Sequence, residues 1–490
     1  METYQMYIDG KWVDADSGKT FRTYNPATGE AVAEVPLAGL SDVDKAVAAA
    51  RKAFPLWSKK TQAERSGVVQ RIADAARAHA DELAHLEVIE HGACAWHAPI
   101  MIGFAAGNLE LAAAGARTCM GPVLPAAACK DDCPGAGPST LAFMKREPVG
   151  VCALITPWNV PSLMIATKIG PALACGNTCV VKPPSINSGI AMKWAQILDE
   201  LELPPGVVNF VTGPGGTIGE ALSTHPGVDL ISFTGSSEVG KEIIAKSSAT
   251  VKHLIMELGG KNPAIILEDA DVEANAAELC SIAFENVGQN CAQPSRLFVQ
   301  EKVYDRFVKA FVAAAEATKV GDPADPHNAV GPVVSKEARD RIEGYVQSAV
   351  DQGATLLTGG KRPTEPPYDK GWFVMPTVFT DMRRDMLISC EEVFGPVVGI
   401  YKFSTDDEVI EAANDSKFGL CASVWTKDYA RGLRIVNEVQ AGTIWVNQHM
   451  NLSPETPWGG FKESGLGKEG GVIGSEGYTQ LKLIYLKHLA

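Results

Sequence analysis

Basic runs are missing from this 490-residue chain, and positive charge is in deficit: 44 Lys and Arg stand against 58 Asp and Glu, for a net charge of −14. Phosphate backbones are gripped by clustered cations, so a nucleic-acid surface is not expected. Histidine is scarce, nine in all, and no H-E-x-x-H signature occurs. The cysteines are scattered; Cys129 and Cys133, like Cys175 and Cys179, share a C-x-x-x-C spacing without the His or Cys partners a zinc ribbon needs, so no metal is expected. No apolar stretch of about 18 residues is free of charge or turn formers, which leaves no indicated transmembrane helix. The first residues, Met1-Glu2-Thr3-Tyr4-Gln5-Met6-Tyr7, lack the basic segment and apolar core of a signal peptide. A cytoplasmic, reducing compartment is the expectation, with the eleven cysteines mostly free thiols. Internal repeats, low-complexity linkers and long charge runs are also lacking.

What is present is an ordinary globular composition, 46% apolar and 21% charged. The length predicts two or three domains. Residues 1–40 read as a small antiparallel hairpin region, with turns at Asp9-Gly10, Ser17-Gly18 and Thr28-Gly29. An Ala-rich helical stretch follows from Asp42 to about Gly121, with Ser41 and Asp42 as N-caps of a helix starting near Val43. After Pro148-Val149-Gly150, apolar runs at Val151–Ile155, Thr178–Val181, Val207–Val211, Leu230–Phe233 and Ala264–Leu267 alternate with helical patterns at Ile165–Ala174, Ile190–Glu200, Thr217–Ser223 and Glu238–Lys246. That alternation predicts a doubly wound parallel sheet. A second α/β set follows Glu257, with strands near Phe298, Ala354–Leu357, Pro396–Tyr401 and Thr443–Val446 and helices at Val303–Thr318 and Lys336–Asp351. The tail from Tyr478 to His488 alternates like an edge strand, with Ser139–Lys145 as its possible counterpart.

The chemistry concentrates in two short stretches. Gly288-Gln289-Asn290-Cys291 sets a cysteine in a loose polar turn, and His253-Leu-Ile-Met-Glu257 puts a lone carboxylate at the end of an apolar run. A thiol in such a turn is either a small buried hydrophobe or a nucleophile; lowering its pKa needs a positive end or amide donors nearby. Glu257 is either a surface acid or, if buried, a base with a raised pKa. Asn159, in a Pro-bounded loop directly after a strand, is a plain turn residue or an amide donor to a developing oxyanion. Lys182 ends another strand, either solvated or gripping ribose or phosphate. Ser236, between a strand and a helix, is a simple N-cap or part of a phosphate site. Gly213-Pro-Gly215-Gly216-Thr-Ile-Gly219 misses the G-x-G-x-x-G register by one.

In this order the residues resemble the aldehyde dehydrogenase superfamily, in its hydrolytic, NAD(P)-dependent branch. The resemblance runs from Asn25-Pro26-Ala27-Thr28-Gly29 to Pro457-Trp458-Gly459-Gly460-Phe461-Lys462-Glu463-Ser464-Gly465, and its most specific motifs are Met256–Lys261, Gly288–Cys291 and Glu391–Pro396. It implies that Cys291 attacks an aldehyde, the Asn159 amide and the Cys291 N–H hold the oxyanion, and hydride leaves for the nicotinamide. Glu257 then activates the water that hydrolyses the thioester, and Lys168 and Glu469 match positions that relay its protons. Lys182 and Ser236 match positions for the adenosine ribose and a phosphate, Glu392 and Phe394 for the nicotinamide end. Trp158, Ser185, Gly215 and Gly259 complete the implied cofactor set. Ser185 stands where many NAD-preferring members carry a glutamate, so acceptance of NADP is expected.

Positions matching the substrate tunnel are Val160, Met164, Thr167, Asn290, Ala292, Leu452 and Trp458. The absence of a large aromatic at Thr167 and the presence of Trp458 favour an apolar or aromatic aldehyde. The resemblance implies an α/β architecture of three parts: a Rossmann-like cofactor domain (1–129 and 149–258), an α/β catalytic domain (259–474) and a small β oligomerisation arm (130–148 and 475–490), hence a homodimer or homotetramer. Alternatives are a CoA-acylating relative, against which Glu257 argues, a cofactor-independent thiol esterase, and a non-catalytic protein on the same scaffold.

Overall fold

Five largely buried apolar runs form the parallel centre of an eight-stranded sheet in the computed structural model, which describes residues 1–124, 140–366 and 368–487. In spatial order they are His253–Glu257, Leu230–Thr234, Val151–Ile155, Thr178–Lys182 and Val208–Phe210. The first of them in the chain, Val151–Ile155, lies in the middle. The order reverses there, and ligands of doubly wound sheets sit beyond the carboxyl ends at that reversal. The hairpin Met6–Ile8 and Lys11–Val13, turned at Asp9 (φ 52°) and Gly10 (φ 72°), extends one edge. Thr20–Tyr24, Ala31–Pro36 and Glu2–Thr3 form a separate three-stranded sheet, so residues 1–40 are not one hairpin region. At the other edge, Gly465–Leu466 pairs antiparallel with Met256–Glu257.

The first long helix, Leu40–Trp57, corrects the expected caps. Gly39 is the N-cap, and Asp42, three residues in, accepts a 2.9 Å bond from the Gly39 N–H. Helix Ala98–Gly115 has 18 residues and a mean hydropathy of 1.2, long and apolar enough to span a membrane. Here it is a core layer: Ile102, Ala105, Ala106 and Leu109 are buried, and Gly170 on helix Pro161–Ala174 comes so near that an added Cβ would lie 3.0 Å from Ala112. The segment expected to be one helix over Thr217–Ser223 opens instead as a wide π-turn, Gly215–Gly219, before the short helix Glu220–Thr224.

The second sheet has seven strands, in the order Thr355–Thr358, Thr377–Thr380, Val397–Phe403, Arg296–Gln300, Pro263–Ile266, Cys421–Trp425 and Thr443–Val446. All pair in parallel except the first. Phe284, Phe307 and Phe311 pack under it, with ring centroids 6.1 and 5.8 Å apart. A third sheet joins the tail to the segment before the first parallel strand. Thr479–Lys487 runs antiparallel to Thr140–Pro148 over nine pairs, with Val123–Leu124 outside. Its outward faces carry exposed Leu481, Leu483 and Tyr485. Cys129, Cys133 and most of the arm segment 130–148 before Thr140 lie outside the described residues, as does His488.

Candidate active site

The carboxyl ends of the five parallel strands carry the polar residues singled out from the sequence. Asn159 follows Val151–Ile155, and Lys182 closes Thr178–Lys182. Ser185 opens the short turn after it, Gly215 and Ser236 follow the next two strands, and Glu257 ends the last. Facing them are loops at the amino ends of two neighbouring strands of the second sheet: Cys291 precedes Arg296–Gln300, and Glu392 and Phe394 precede Val397–Phe403. The site therefore lies where one sheet's carboxyl edge meets the other's amino edge.

Cys291 is half-buried. Its turn is built from consecutive left-handed residues, Asn286 (φ 48°), Val287 (φ 52°) and Gly288 (φ 69°). A β-branched residue such as Val287 is strained there, and such strain persists only where neighbours hold it. Side-chain amides do so here. Asn262 donates to the Cys291 carbonyl (2.7 Å) and to that of Gln293 (2.9 Å). Asn159 donates to the Gln289 carbonyl at 3.1 Å, which leaves its second N–H available to a ligand. Burial, with Glu392 and Glu257 nearby, pushes the Cys291 thiol up to about 12, against the pull of the backbone N–H groups of Cys291 and Ala292. The turn thus does not favour thiolate by itself; the thiol keeps its proton until a base takes it.

Glu257 is buried, and neither carboxylate oxygen has a hydrogen-bond partner among the described residues. Burial first, then the like charge of Glu469, raises its pKa well above the carboxylate range, while Lys168 and Lys468 oppose this. A Cβ on Gly459 (φ 154°) would sit 2.6 Å from its Oε1, so only glycine fits beside it. Lys168 and Glu469 form a buried ion pair behind it, and Ser232 bridges them, accepting from Lys168 at 2.9 Å and donating to Glu469 at 3.1 Å.

On the cofactor side, the Lys182 ammonium is buried, has no hydrogen-bond partner among the described residues, and is lowered by burial to about 8. A buried cation without a partner suits a site completed by a polar ligand. Glu392 accepts the Gly260 N–H at 2.9 Å with Oε1, and its pKa is raised by burial to about 7. Gly259 lets this carboxylate in, since a Cβ there would meet its Oε2 at 2.4 Å. Trp158 and Phe394 meet edge to face, centroids 5.2 Å apart. Gly215 has open space where a side chain would stand, although the G-x-G-x-x-G register fails. Ser236 is the N-cap of helix Ser237–Ser247, accepting from the Val239 N–H at 3.3 Å. Its helix N-terminus still faces the crevice. These residues fit a dinucleotide.

Val160, Met164, Thr167 and Lys168 share one face of helix Pro161–Ala174 and its entry. Opposite them Ala292, Cys421 and Trp445 form a buried apolar cluster, with Met450, Leu452 and Trp458 packed against it. Asn290 donates to the Met450 sulfur at 3.0 Å. The Trp445 and Trp458 rings lie 6.2 Å apart. Trp458 and Glu469 also exchange backbone bonds of 2.7 and 2.8 Å, which tie the apolar wall to the ion pair.

A model of the aldehyde dehydrogenase family matches residues 12–484. The chain belongs to the aldehyde dehydrogenase family. Betaine aldehyde dehydrogenase of Bacillus subtilis is 39% identical over 98% of this chain and 96% of its own length. A cytosolic aldehyde dehydrogenase of Elephantulus edwardii is 40% identical over 99% and 95%. Among solved structures, a point mutant of betaine aldehyde dehydrogenase from Staphylococcus aureus, in complex with NAD+ and with a BME-modified cysteine, superposes with a TM-score of 0.95 at 37% identity, over 99% of this chain and 96% of the other. As a family member, the chain oxidises an aldehyde to its carboxylic acid with NAD(P)+.

Several residues of the site had no assigned part in the sequence reading. Asn262 stood inside a quoted motif without a role. Gln289 is expected only as a polar neighbour of Cys291, and Asn286, Ser232, Trp445, His449 and His91 carry no expectation. His449 is buried, with Nε2 2.8 Å from the Ala292 carbonyl and Nδ1 2.9 Å from the Ser423 hydroxyl. Apart from Trp445, which packs against Trp458, these act through contacts more than twenty residues away in the chain or through carbonyls, and nothing in a single sequence reports either.

Proposed function

We propose that Cys291 is the nucleophile, Asn159 the side-chain oxyanion donor and Glu257 the general base of thioester hydrolysis. The Cys291 thiol passes its proton to solvent water as sulfur bonds to the aldehyde carbon, forming a thiohemiacetal held as its oxyanion. The free N–H of Asn159 and the Cys291 backbone N–H stabilise the oxyanion. Bound NAD(P)+ supplies the hydride acceptor, and the residues suited to hold it are Lys182, Ser185, Ser236, Glu392, Phe394, Trp158, Gly215 and Gly259. Loss of hydride leaves a thioester on Cys291. Glu257 removes a proton from water as it attacks this thioester, and the acid departs as the thiol is restored. Lys168 and Glu469 take the proton onward. The observation that carries this reading is Glu257 itself, a buried carboxylate with two unpaired oxygens whose charge acts on the Cys291 thiol.

The substrate this pocket favours is a medium-sized apolar or aromatic aldehyde. Trp445, Trp458, Leu452 and Met450 form its wall, and Val160 and Thr167 leave width on the other side. The two indoles favour a second reading, since aromatic faces also attract quaternary ammonium groups, the class named in the betaine aldehyde dehydrogenases above. Ser185 supports use of both NAD and NADP. The paired tail supports a homodimer or homotetramer, because its exposed apolar side chains suit a second subunit. The three-part division at 129, 149, 259 and 475 follows the same logic of cofactor, catalytic and arm segments. The nine cysteines among the described residues are free of disulfides, which fits a cytoplasmic setting. A panel of aliphatic, aromatic and quaternary-ammonium aldehydes, each with NAD and with NADP, tests the reading. Apolar and aromatic aldehydes should give the highest kcat/KM, with acid formed without CoA. A strong preference for the charged aldehyde would favour the second reading.

A further inference from the structure

Behind the Cys291 turn lies a buried histidine that the reaction does not use. His91 ends the π-helical segment Glu87–His91 and is fully enclosed. Its Nε2 lies 3.0 Å from Oδ1 of Asn286, 195 residues away. Asn286 is the first left-handed residue of the turn. Its amide Nδ2 donates to the Asn159 carbonyl at 2.9 Å and to the Gln289 carbonyl at 3.3 Å. The Asn159 amide closes the circuit on the same Gln289 carbonyl at 3.1 Å.

The orientation of Asn286 follows from these partners. Both carbonyls can only accept, so Nδ2 must face them and Oδ1 must face His91. Oδ1 can only accept as well, so His91 carries its hydrogen on Nε2. The lone pair is then on Nδ1, which is buried without a partner among the described residues. Burial lowers the ring's pKa to about 4, which agrees with a neutral imidazole. The ring also stands 6.2 Å from that of Trp158, the residue before Asn159.

We infer that His91 is a positioning residue: its Nε2–H fixes the Asn286 amide, which clamps the Asn159 loop and the Gln289 carbonyl together and so sets the spacing of the two oxyanion donors. The relay gives the strained turn one arrangement. Without the His91 donor, the Asn286 oxygen is left buried and unpaired, and rotation of the amide releases both carbonyls. The inference rests on the assignment of Asn159 and Cys291 to the oxyanion site.

The test is steady-state kinetics with NAD+ and one good aldehyde on five variants. H91F keeps ring volume and removes the donor; H91Q restores an N–H near the Nε2 position. H91F should lower kcat roughly tenfold to a hundredfold, the scale of a slight misplacement of catalytic groups. KM for NAD+ should be unchanged, and H91Q should recover most of kcat. N286G removes the amide where glycine tolerates the positive φ. It should lose kcat to a similar extent, and H91F combined with N286G should lose little more than either alone. Losses that multiply in the double variant, a kcat of H91F within about twofold of the parent, or an H91Q as slow as H91F would each overturn the inference. If H91F does not fold, H91Q against N286G carries the same comparison, since only the latter should be slow. N159A separates the two levels. If N159A is crippled and H91F is not, only the positioning inference fails; if N159A is fully active, the oxyanion assignment fails.

Discussion

Replacing Glu257 by Gln separates the two halves of the reaction. The side chain keeps its shape, so no cavity opens, and neither oxygen of Glu257 has a partner to lose. Removing a general base costs roughly a hundredfold to ten-thousandfold, or about 2.7–5.4 kcal/mol of barrier. That cost should fall on thioester hydrolysis alone. On rapid mixing of E257Q with aldehyde and NAD+, a burst of reduced nicotinamide should appear, about one per Cys291, followed by very slow turnover. Stability gives a second readout. Burial and Glu469 raise the folded-state pKa of Glu257, so the folded state holds the proton more tightly than the unfolded chain does. The stability tied to that proton is fully present below the ordinary carboxylate pKa and is lost as pH rises toward the folded value. E257Q has no such loss. Its melting temperature should match the parent's at low pH and exceed it at neutral pH and above. Undiminished steady-state turnover by E257Q, or a missing burst with Cys291 intact, would refute the assignment of Glu257.

Lys168 to Met leaves Glu469 buried and unpaired, which should cost about 3–5 kcal/mol; thermal unfolding should show this loss, with partial recovery in the K168M/E469Q double variant. Ser185 to Glu places a carboxylate where a 2′-phosphate would lie, and like charges about 4 Å apart near a surface repel by roughly 4 kcal/mol; kcat/KM for NADP should fall at least about tenfold while that for NAD holds. A parental preference for NAD of roughly a thousandfold, about 4 kcal/mol, would contradict the expectation that NADP is accepted. Leu483 and Tyr485, exposed on the strand Thr479–Lys487, should both be needed for assembly, so light scattering should find the double glutamate variant monomeric and the parent dimeric or tetrameric. A monomeric parent would contradict the oligomeric reading.

Much of this was legible because burial on both faces leaves a plain mark. Val151–Ile155 and Thr178–Val181 are legible as continuous apolar runs, and Lys336–Asp351 as a helix from its spacing. The tail strand is readable from alternation, and its partner, expected at Ser139–Lys145, is the longer strand Thr140–Pro148. The cap at Asp42 was misread because glycine supplied the N-cap and the carboxylate reached back from the third helical position. Strands of two residues, such as Gly465–Leu466, are too short to carry a pattern, yet this one extends the sheet beside Glu257. The π-turns at Glu87–His91 and Gly215–Gly219 have no periodicity to read. At the site, the motifs marked Cys291, Glu257 and Glu392, but the amide network through Asn262, Asn286 and Gln289 depends on partners brought together only by the fold.

The most direct test is to look for the acyl group itself. E257Q mixed with aldehyde and NAD+, quenched in acid and digested, should yield one modified peptide, carrying Cys291 with a mass gain equal to the aldehyde less two hydrogens. No adduct, an adduct on another cysteine, or full aldehyde oxidation by C291A would contradict covalent catalysis at Cys291.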